Sequence, residues 1–260
     1  MLENITKLVL AFCNDIIIIP LVIVGYIWID KCKFYHAICL LLLSMICNVA
    51  LKSTFQIPLS THLAQEGFAF PSGHMQTAAV LYGWLMLHFY APMLYTVLVL
   101  LLTSIAYSLV ALGYHNWFDV VGGILFGSIV LFSYFLILKK KPQIQAPAIL
   151  LLSTLLMVYI HLMYTILDHV VMVYLSLVGF MLGEYISPIK AFQPIKNKLR
   201  ATLLFFITVL VINVISKLAV VPVPEFAAVL NSIKWLFIAF AMPCSLYTSQ
   251  IINTKQSITS

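Results

Sequence analysis

Two short polar segments stand between long apolar stretches of this chain, and their residue types could carry out phosphoryl transfer. The first polar segment is Phe70-Pro71-Ser72-Gly73-His74, and the second polar segment is Gly113-Tyr114-His115-Asn116-Trp117-Phe118-Asp119. Two histidines, a serine, a glycine and an aspartate are the groups that transfer through a phosphohistidine would use. The chemistry of the chain is therefore expected in these two segments.

His115 and Asp119 are four positions apart in the second polar segment. On a helix, this spacing puts two side chains on one face, a turn apart. The carboxylate would then hold one ring nitrogen of the imidazole protonated and leave the other nitrogen free as a nucleophile. The alternative is a hydrogen bond between the two side chains that only caps the start of a helix.

The first polar segment leads into an apolar stretch that predicts a helix. A helix N-terminus there would present free N–H groups and a partial positive charge to an anion such as phosphate. Ser72 would supply a hydroxyl, Gly73 would let the backbone come close, and His74 could protonate the departing oxygen as a general acid. The alternative assigns Ser72 to a helix N-cap and His74 to the membrane interface.

The elements that must position these residues are membrane helices. The chain is 63% hydrophobic and 8% charged, with a mean hydropathy of +1.08, and its apolar runs approach the ~20 residues that cross a bilayer. The sequence therefore predicts an all-α polytopic transmembrane helical bundle with about nine crossings. They are expected at residues 8–29, 34–51, 75–90, 93–112, 120–138, 147–164, 170–187, 201–220 and 226–247.

Basic residues predict the orientation of this bundle. Clusters of lysine and arginine lie in the connections after the first, fifth and seventh crossings, within residues 31–33, 139–141 and 190–200. By the positive-inside rule, these connections and the C-terminus are cytoplasmic, the N-terminus lies outside, and both polar segments face outward. We expect an integral protein of a bacterial inner membrane whose site faces the periplasm.

Other features exclude several kinds of site. The basic residues form short clusters instead of one stripe, so nucleic acid is not expected as a partner. The five cysteines are odd in number and lack a C-x-x-C pair, which argues against a disulfide framework and a zinc site. Gly122, Gly123 and Gly127 predict a helix face that packs closely on a neighbour.

The motif Pro71-Ser72-Gly73-His74, followed by Ser108, His115 and Asp119, resembles the type 2 phosphatidic acid phosphatase superfamily. That family includes lipid phosphate phosphatases, undecaprenyl pyrophosphate phosphatases, glucose-6-phosphatase and vanadium haloperoxidases. Its signature is a lysine, six residues and Arg-Pro; then Pro-Ser-Gly-His; then Ser-Arg, five residues, His, three residues and Asp. Lys52 represents the first part, but Leu59 and Ser60 replace Arg-Pro, and Leu109 stands where the second arginine is expected.

The resemblance covers roughly residues 45–130 and implies a role for each matching residue. His115 would be the nucleophile, Asp119 its orienting partner and His74 the general acid. Lys52, Ser72 and Gly73 would hold the phosphate, and neither a metal ion nor a cofactor would be needed. A boundary after the lysine run and Pro142 would divide the chain into a phosphatase-like membrane domain at 1–142 and additional transmembrane helices of the same bundle at 143–260.

The missing arginines leave the predicted phosphate site short of positive charge. The single arginine of the chain, Arg200, is predicted on the cytoplasmic side, away from both polar segments. Two unreplaced losses predict a rate deficit on the order of 10⁴–10⁶. Further candidates for the site are Ser108 from the motif and, as replacements for the lost charge, His62, Lys217 and Lys234, although Lys217 could instead snorkel to the interface.

The leading expectation is an integral-membrane phosphatase that hydrolyses a phosphorylated lipid, either phosphatidate-like or a prenyl pyrophosphate. Phosphate transfer to a second lipid is a close variant, and the nine-crossing plan with an outside N-terminus also resembles glucose-6-phosphatase, so a sugar phosphate is an alternative substrate. Loss of both arginines instead favours a catalytically degenerate protein that binds or transports a phospholipid. A haloperoxidase is not favoured, because its site would lack the same two arginine charges. A purely structural scaffold is not favoured either, because it would not explain the two polar segments.

Overall fold

A computed structural model describes residues 2–59, 67–164, 168–187, 194–220 and 227–259, and these residues form mainly α-helices. The helices are α1 (Leu2–Leu10), α2 (Asp15–Val24), α3 (Lys31–Phe55), α4 (Gly73–His88), α5 (Pro92–Ala111), α6 (Trp117–Lys140), α7 (Pro142–Met163), α8 (Asp168–Ile186), α9 (Ile195–Val220) and α10 (Ala227–Thr259). The predicted all-α class is confirmed.

Most of these helices have the length and apolar composition of membrane spans. Within the described ranges, α3 and α5–α10 qualify singly, which makes seven, and the bent pair Glu3–Cys13 and Asp15–Ile29 would be an eighth. The third predicted crossing, residues 75–90, corresponds to α4, whose 16 residues extend about 24 Å against a hydrocarbon core of about 30 Å. The structure is thus consistent with the predicted membrane bundle of about nine crossings.

The first predicted crossing, residues 8–29, is broken instead of continuous. Asn14 has an extended backbone (φ −104°, ψ 158°), and its carbonyl oxygen accepts hydrogen bonds from the N–H groups of Ile17 and Ile18. The two parts meet at an angle of 43°. Asparagine favours such a position because its side chain competes for backbone hydrogen bonds and suits helix starts better than helix interiors.

The chain divides into two compact units. The first unit contains Met1–Val22 and His36–Thr165, and the second unit contains Ile23–Tyr35 and Ile166–Ser260. Both polar segments belong to the first unit. The domain boundary predicted after residue 142 stays a prediction.

In the first unit, α4 and α6 pack closely through glycine. A Cβ built at Gly123 would lie 2.7 Å from the Ser72 carbonyl oxygen, and one at Gly122 would lie 2.3 Å from the Phe70 ring. At Gly127 a Cβ would be 3.1 Å from the Gln76 carbonyl oxygen. The predicted packing role of this glycine face is confirmed, and the backbone it approaches belongs to the first polar segment and the start of α4.

The second unit has its own close helix contact and a half-buried ion pair. A Cβ at Gly179 of α8 would lie 2.1 Å from the Leu236 carbonyl oxygen of α10. Lys31 Nζ lies 2.8 Å from Glu184 Oε2, and the Tyr26 hydroxyl donates to the same carboxylate. Such pairing is what an ionised side chain inside an apolar bundle requires.

Candidate active site

The second polar segment begins at the end of α5, where the chain turns sharply. Gly113 has φ 71°, a left-handed conformation that a glycine adopts without steric cost. The Gly113 N–H bonds to the Val110 carbonyl oxygen (2.9 Å) and the Tyr114 N–H to the Leu109 carbonyl oxygen (3.0 Å). This pair of bonds is the Schellman arrangement that ends a helix. The turn brings His115 to the start of α6.

A reciprocal capping arrangement fixes Asp119 at the start of α6. The Asp119 N–H donates to Asn116 Oδ1 (2.9 Å), and the Asn116 N–H donates to Asp119 Oδ2 (3.1 Å). The same Oδ2 lies 3.4 Å from His115 Nδ1. The expected histidine–carboxylate contact is therefore present, but His115 lies before the helix, and the carboxylate caps the helix as well. Asn116 was missed, although Asn-x-x-Asp before an apolar run signals such a cap.

The environment of His115 favours its neutral form. Its side chain is 7% exposed and that of Asp119 is 2% exposed. Burial lowers the pKa of His115, the positive charge of Lys52 lowers it further, and the Asp119 carboxylate opposes both effects. A neutral imidazole whose Nδ1–H faces a carboxylate has an unprotonated Nε2, as a nucleophile requires.

The first polar segment is attached directly to the second. The Ser72 N–H donates to the Asp119 carbonyl oxygen (3.0 Å), and Ser72 Oγ accepts from the Met75 N–H (3.4 Å). Ser72 is therefore the N-cap of α4, as in the alternative interpretation, and its side chain is buried. The N–H groups of Gly73 and His74 follow at the N-terminus of α4, where no earlier helical carbonyl can accept from them.

Side-chain amides of α3 and α4 form a buried hydrogen-bond network that supports this turn. Asn48 Nδ2 donates to the Pro71 carbonyl oxygen (3.3 Å) and to Gln76 Oε1 (2.9 Å). Gln76 Nε2 donates in turn to the Ser44 carbonyl oxygen (2.9 Å). A Cβ at Gly73 would lie 3.0 Å from Asn48 Oδ1, so the amide also restricts this position to a small residue.

Sequence analysis missed this network. A signal existed, because residues 44, 48 and 52 are polar at a spacing of four in an otherwise apolar run and so share one helix face. Gln76 on the facing helix is fully buried. Buried amides of this kind need hydrogen-bond partners. The sequence does not show that Gln76 is the partner.

Lys52 and His74 complete the cluster around His115. Lys52 lies at the C-terminal end of α3, and its Nζ donates to the Phe68 carbonyl oxygen (2.7 Å). The charges of Lys52, Asp119 and His74 all influence the pKa of His115. His74 is exposed. Direct hydrogen bonds thus join Ser72 and His115 to Asp119, and the charges of Lys52 and His74 influence His115.

The remaining predicted site residues have other positions. Ser108 is buried on α5, and Leu109 beside it, in place of the family's arginine, is 1% exposed. Lys217 is exposed on α9 of the second unit, and Lys234 lines a cavity of about 620 Å³ between α9 and α10. Their assignment to the phosphate stays a prediction. His62 lies outside the described residues.

Metal binding has no visible basis in the described part of the chain. Across residues 2–59, 67–164, 168–187, 194–220 and 227–259, no three His, Cys, Asp or Glu side chains come together as a metal site would require.

Comparison with known proteins agrees with the motif. No curated protein and no solved structure matches this chain. Residues 33–143 match the model of the PAP2 superfamily, and this range contains the two polar segments, Lys52 and the supporting amide network. The suspected relationship is confirmed over residues 33–143, where the match to the PAP2 superfamily supports a phosphatase-type fold in a membrane helical bundle.

Proposed function

We propose that this chain is an integral-membrane phosphatase that hydrolyses a phosphorylated lipid through a phosphohistidine on His115. The observation that carries this proposal is the hydrogen bond from the Ser72 N–H to the Asp119 carbonyl oxygen (3.0 Å). It joins an anion-binding helix N-terminus to a histidine–carboxylate pair, although the two are far apart in the chain. The PAP2 match supports phosphoester hydrolysis as the general reaction.

In the first step, the phosphate lies at the N-terminus of α4, near Gly73 and His74. His115 Nε2 attacks phosphorus while the Nδ1 proton stays on the imidazole and faces the Asp119 carboxylate. The P–N bond forms as the P–O bond to the lipid breaks, and the leaving oxygen takes a proton from His74. In the second step, water gives a proton to His74 and attacks phosphorus, the P–N bond breaks, and inorganic phosphate leaves. By the family resemblance, no metal ion takes part.

Lys52 is the proposed source of positive charge for the phosphate. It cannot reproduce the rigid, bidentate grip of two arginines, and each lost donor typically costs ~10²–10³ in rate. Because the enhancement for phosphate monoesters can reach ~10²¹, a slow phosphatase remains compatible with this loss. His62, Lys217 and Lys234 remain candidates for replacing the charge.

A phospholipid-binding or transport protein without turnover is the second candidate. It is favoured by Leu109, which fills the position of a family arginine and is buried, so this position provides no cation. The retained His115–Asp119 contact (3.4 Å) argues against it, because a bare binding site has no need of an oriented nucleophile.

The proposed location is a bacterial inner membrane, with the site and the N-terminus outside and the C-terminus in the cytoplasm. The lysines at the end of α6 support this orientation through the positive-inside rule. In spheroplasts, a membrane-impermeant thiol reagent should label a cysteine introduced at Tyr114 but not one at Lys140, in a background without other cysteines. The reverse pattern would invert the proposed orientation.

The test of function is phosphate release by the detergent-purified protein from phosphatidate, a prenyl pyrophosphate and a sugar phosphate. His115→Gln should abolish release, and the matched substitution His161→Gln, at an exposed histidine of α7, should leave it unchanged. Labelled phosphate should be trapped on the wild-type chain in an acid-labile form and not on His115→Gln. Equal background release from all three proteins, with lipid still bound, would establish the binding or transport protein instead.

A further inference from the structure

A groove of about 620 Å³ lies between α9 and α10 of the second unit. Its wall extends from Leu204 to Ala219 on α9 and from Leu230 to Thr248 on α10. Three of the large apolar side chains that line it, Ile215, Ile233 and Phe237, are exposed. Because both helices have the length and composition of membrane spans, these exposed side chains face lipid, and the groove is open to the bilayer.

One side of this groove carries a positive charge. Lys234 is the single charged residue among the described side chains that line it. Within the described part of the chain, no carboxylate forms an ion pair with this lysine. Its Nζ lies 5.8 Å from the centroid of the Trp235 ring, a contact that attracts the cation without neutralising it. A cation in a membrane span usually has an anionic partner, and the groove leaves space for one.

Lys234 lies at the depth where a lipid head group joins its chains. The apolar part of α10, Ala227–Asn253, is about 40 Å long against a hydrocarbon core of about 30 Å. With the helix centred in the bilayer, the Lys234 backbone is about 5 Å inside the edge of the hydrocarbon. The long side chain can then bring its ammonium to the level of the head groups.

The rest of the groove suits a hydrocarbon chain. From Lys234 to Thr248 the wall on α10 extends for about 21 Å at a rise of ~1.5 Å per residue, whereas one leaflet contributes about 15 Å of hydrocarbon. Most of the lining side chains are apolar. The hydroxyl of Thr208 is already satisfied, because it donates to the Leu204 carbonyl oxygen (2.8 Å).

We propose that this groove binds a membrane lipid with an anionic head group, whose charge pairs with Lys234 and whose chain lies between α9 and α10. Every residue of the groove belongs to the second unit and lies outside the range 33–143 that matches the PAP2 superfamily. Binding there does not depend on the proposed phosphatase activity, and the lipid stays intact. A zwitterionic lipid has no net charge to pair with Lys234, so the groove selects lipids by charge.

Lys217 provides a matched control for this charge. It is exposed on α9 of the same unit, and it is not among the residues that line the groove, although the adjacent Ser216 is. The charge of one lysine beside an anionic lipid is worth about fivefold in affinity. Lys234→Met should therefore weaken the binding of an anionic lipid about fivefold. Lys234→Arg, which keeps the charge, and Lys217→Met should not.

Trp235 provides a local reporter of binding, because bromine quenches tryptophan fluorescence only at short range. The experiment titrates the detergent-purified protein with phosphatidylglycerol and with phosphatidylethanolamine that carry the same brominated chains. Both lipids are phosphodiesters, so the proposed phosphatase does not consume them. The part of the quenching that disappears in Trp235→Phe reports on the groove.

We expect half-maximal quenching of Trp235 at about fivefold less phosphatidylglycerol than phosphatidylethanolamine in wild type, and at equal concentrations in Lys234→Met. Ser216→Phe should weaken the binding of both lipids, and Val214→Phe, at an exposed position of α9 outside the groove lining, should weaken neither. Equal binding of the two lipids by wild type, or equal effects of Lys234→Met and Lys217→Met, would overturn the site. A protein that is dimeric in detergent and binds neither lipid would also overturn it, because a second copy of the chain would then cover the groove.

Discussion

Replacing Gly123 with alanine should separate the two polar segments. The added Cβ would lie 2.7 Å from the Ser72 carbonyl oxygen and 3.1 Å from the Gln76 backbone nitrogen, whereas ordinary contacts begin at 3.4 Å. Both neighbours are backbone atoms, which cannot rotate away as a side chain could. Helix α6 must therefore move from the start of α4 by about 0.7 Å.

The size of the effect follows from this displacement. Forcing an extra methyl group into a close contact typically costs ~1–3 kcal/mol of stability. A misplacement of about 1 Å at a catalytic centre can reduce the rate ~10²-fold. Because Asp119 lies one turn before Gly123 on α6, the shift also strains the Ser72–Asp119 hydrogen bond. We expect a loss of about 10- to 100-fold in kcat/KM.

Gly127→Ala is the matched control, one turn further from the site on the same helix. Its Cβ would be 3.1 Å from the Gln76 carbonyl oxygen and 3.4 Å from Ala79 Cβ, so a shift of a few tenths of an ångström suffices. Both replacements gain about 1 kcal/mol of helix propensity. The difference between the two variants therefore isolates the contact at Gly123.

The assay combines thermal unfolding in detergent with phosphate release. Gly123→Ala should have a lower unfolding midpoint and a lower rate than Gly127→Ala. Wild-type stability and turnover in Gly123→Ala, or equal damage in the two variants, would refute the close approach of α6 to the first polar segment.

Two further predictions concern protonation and support of the site. Because burial and Lys52 both lower the pKa of His115 from its ordinary value of 6.5, the neutral nucleophile should persist below that pH. The acid limb of kcat/KM should then lie below pH 6.5, and Lys52→Met should move it to higher pH; a limb that stays in place would contradict the electrostatic contact. Gln76→Leu removes partners of Asn48 and Ser44 and should lower stability by ~1–3 kcal/mol with a loss of turnover; an unchanged unfolding midpoint and rate would show that the network does not support the turn.

Features that depend on near neighbours in the chain could be predicted from the sequence. The His115–Asp119 contact follows from a spacing of four, and the glycine face of α6 follows from Gly123 and Gly127. The helical membrane class follows from hydropathy alone. Even the break near Asn14 had a local signal, since asparagine suits the start of a helix better than its interior.

Features that depend on which helices meet could not be predicted in the same way. A membrane helix is apolar all round, because lipid and protein core are equally apolar, so it has no stripe that points to its neighbour. Nothing in the sequence paired Asn48 with Gln76, or the Ser72 N–H with the Asp119 carbonyl oxygen. The groove between α9 and α10 likewise appears only when the two helices are assembled.

The sequence by itself determined which residues could carry phosphoryl transfer, because the types and spacings of His74, His115 and Asp119 are those that the proposed acid, nucleophile and orienting partner require. It also determined that the protein lies in a lipid bilayer, since a mean hydropathy of +1.08 is too high for a protein in water. Only the tertiary structure decided that the start of α6 meets the start of α4, where the Ser72 N–H donates to the Asp119 carbonyl oxygen. Hydrophobicity drives helices into a membrane, but backbone approach at glycines and buried amide hydrogen bonds select which helices pack together.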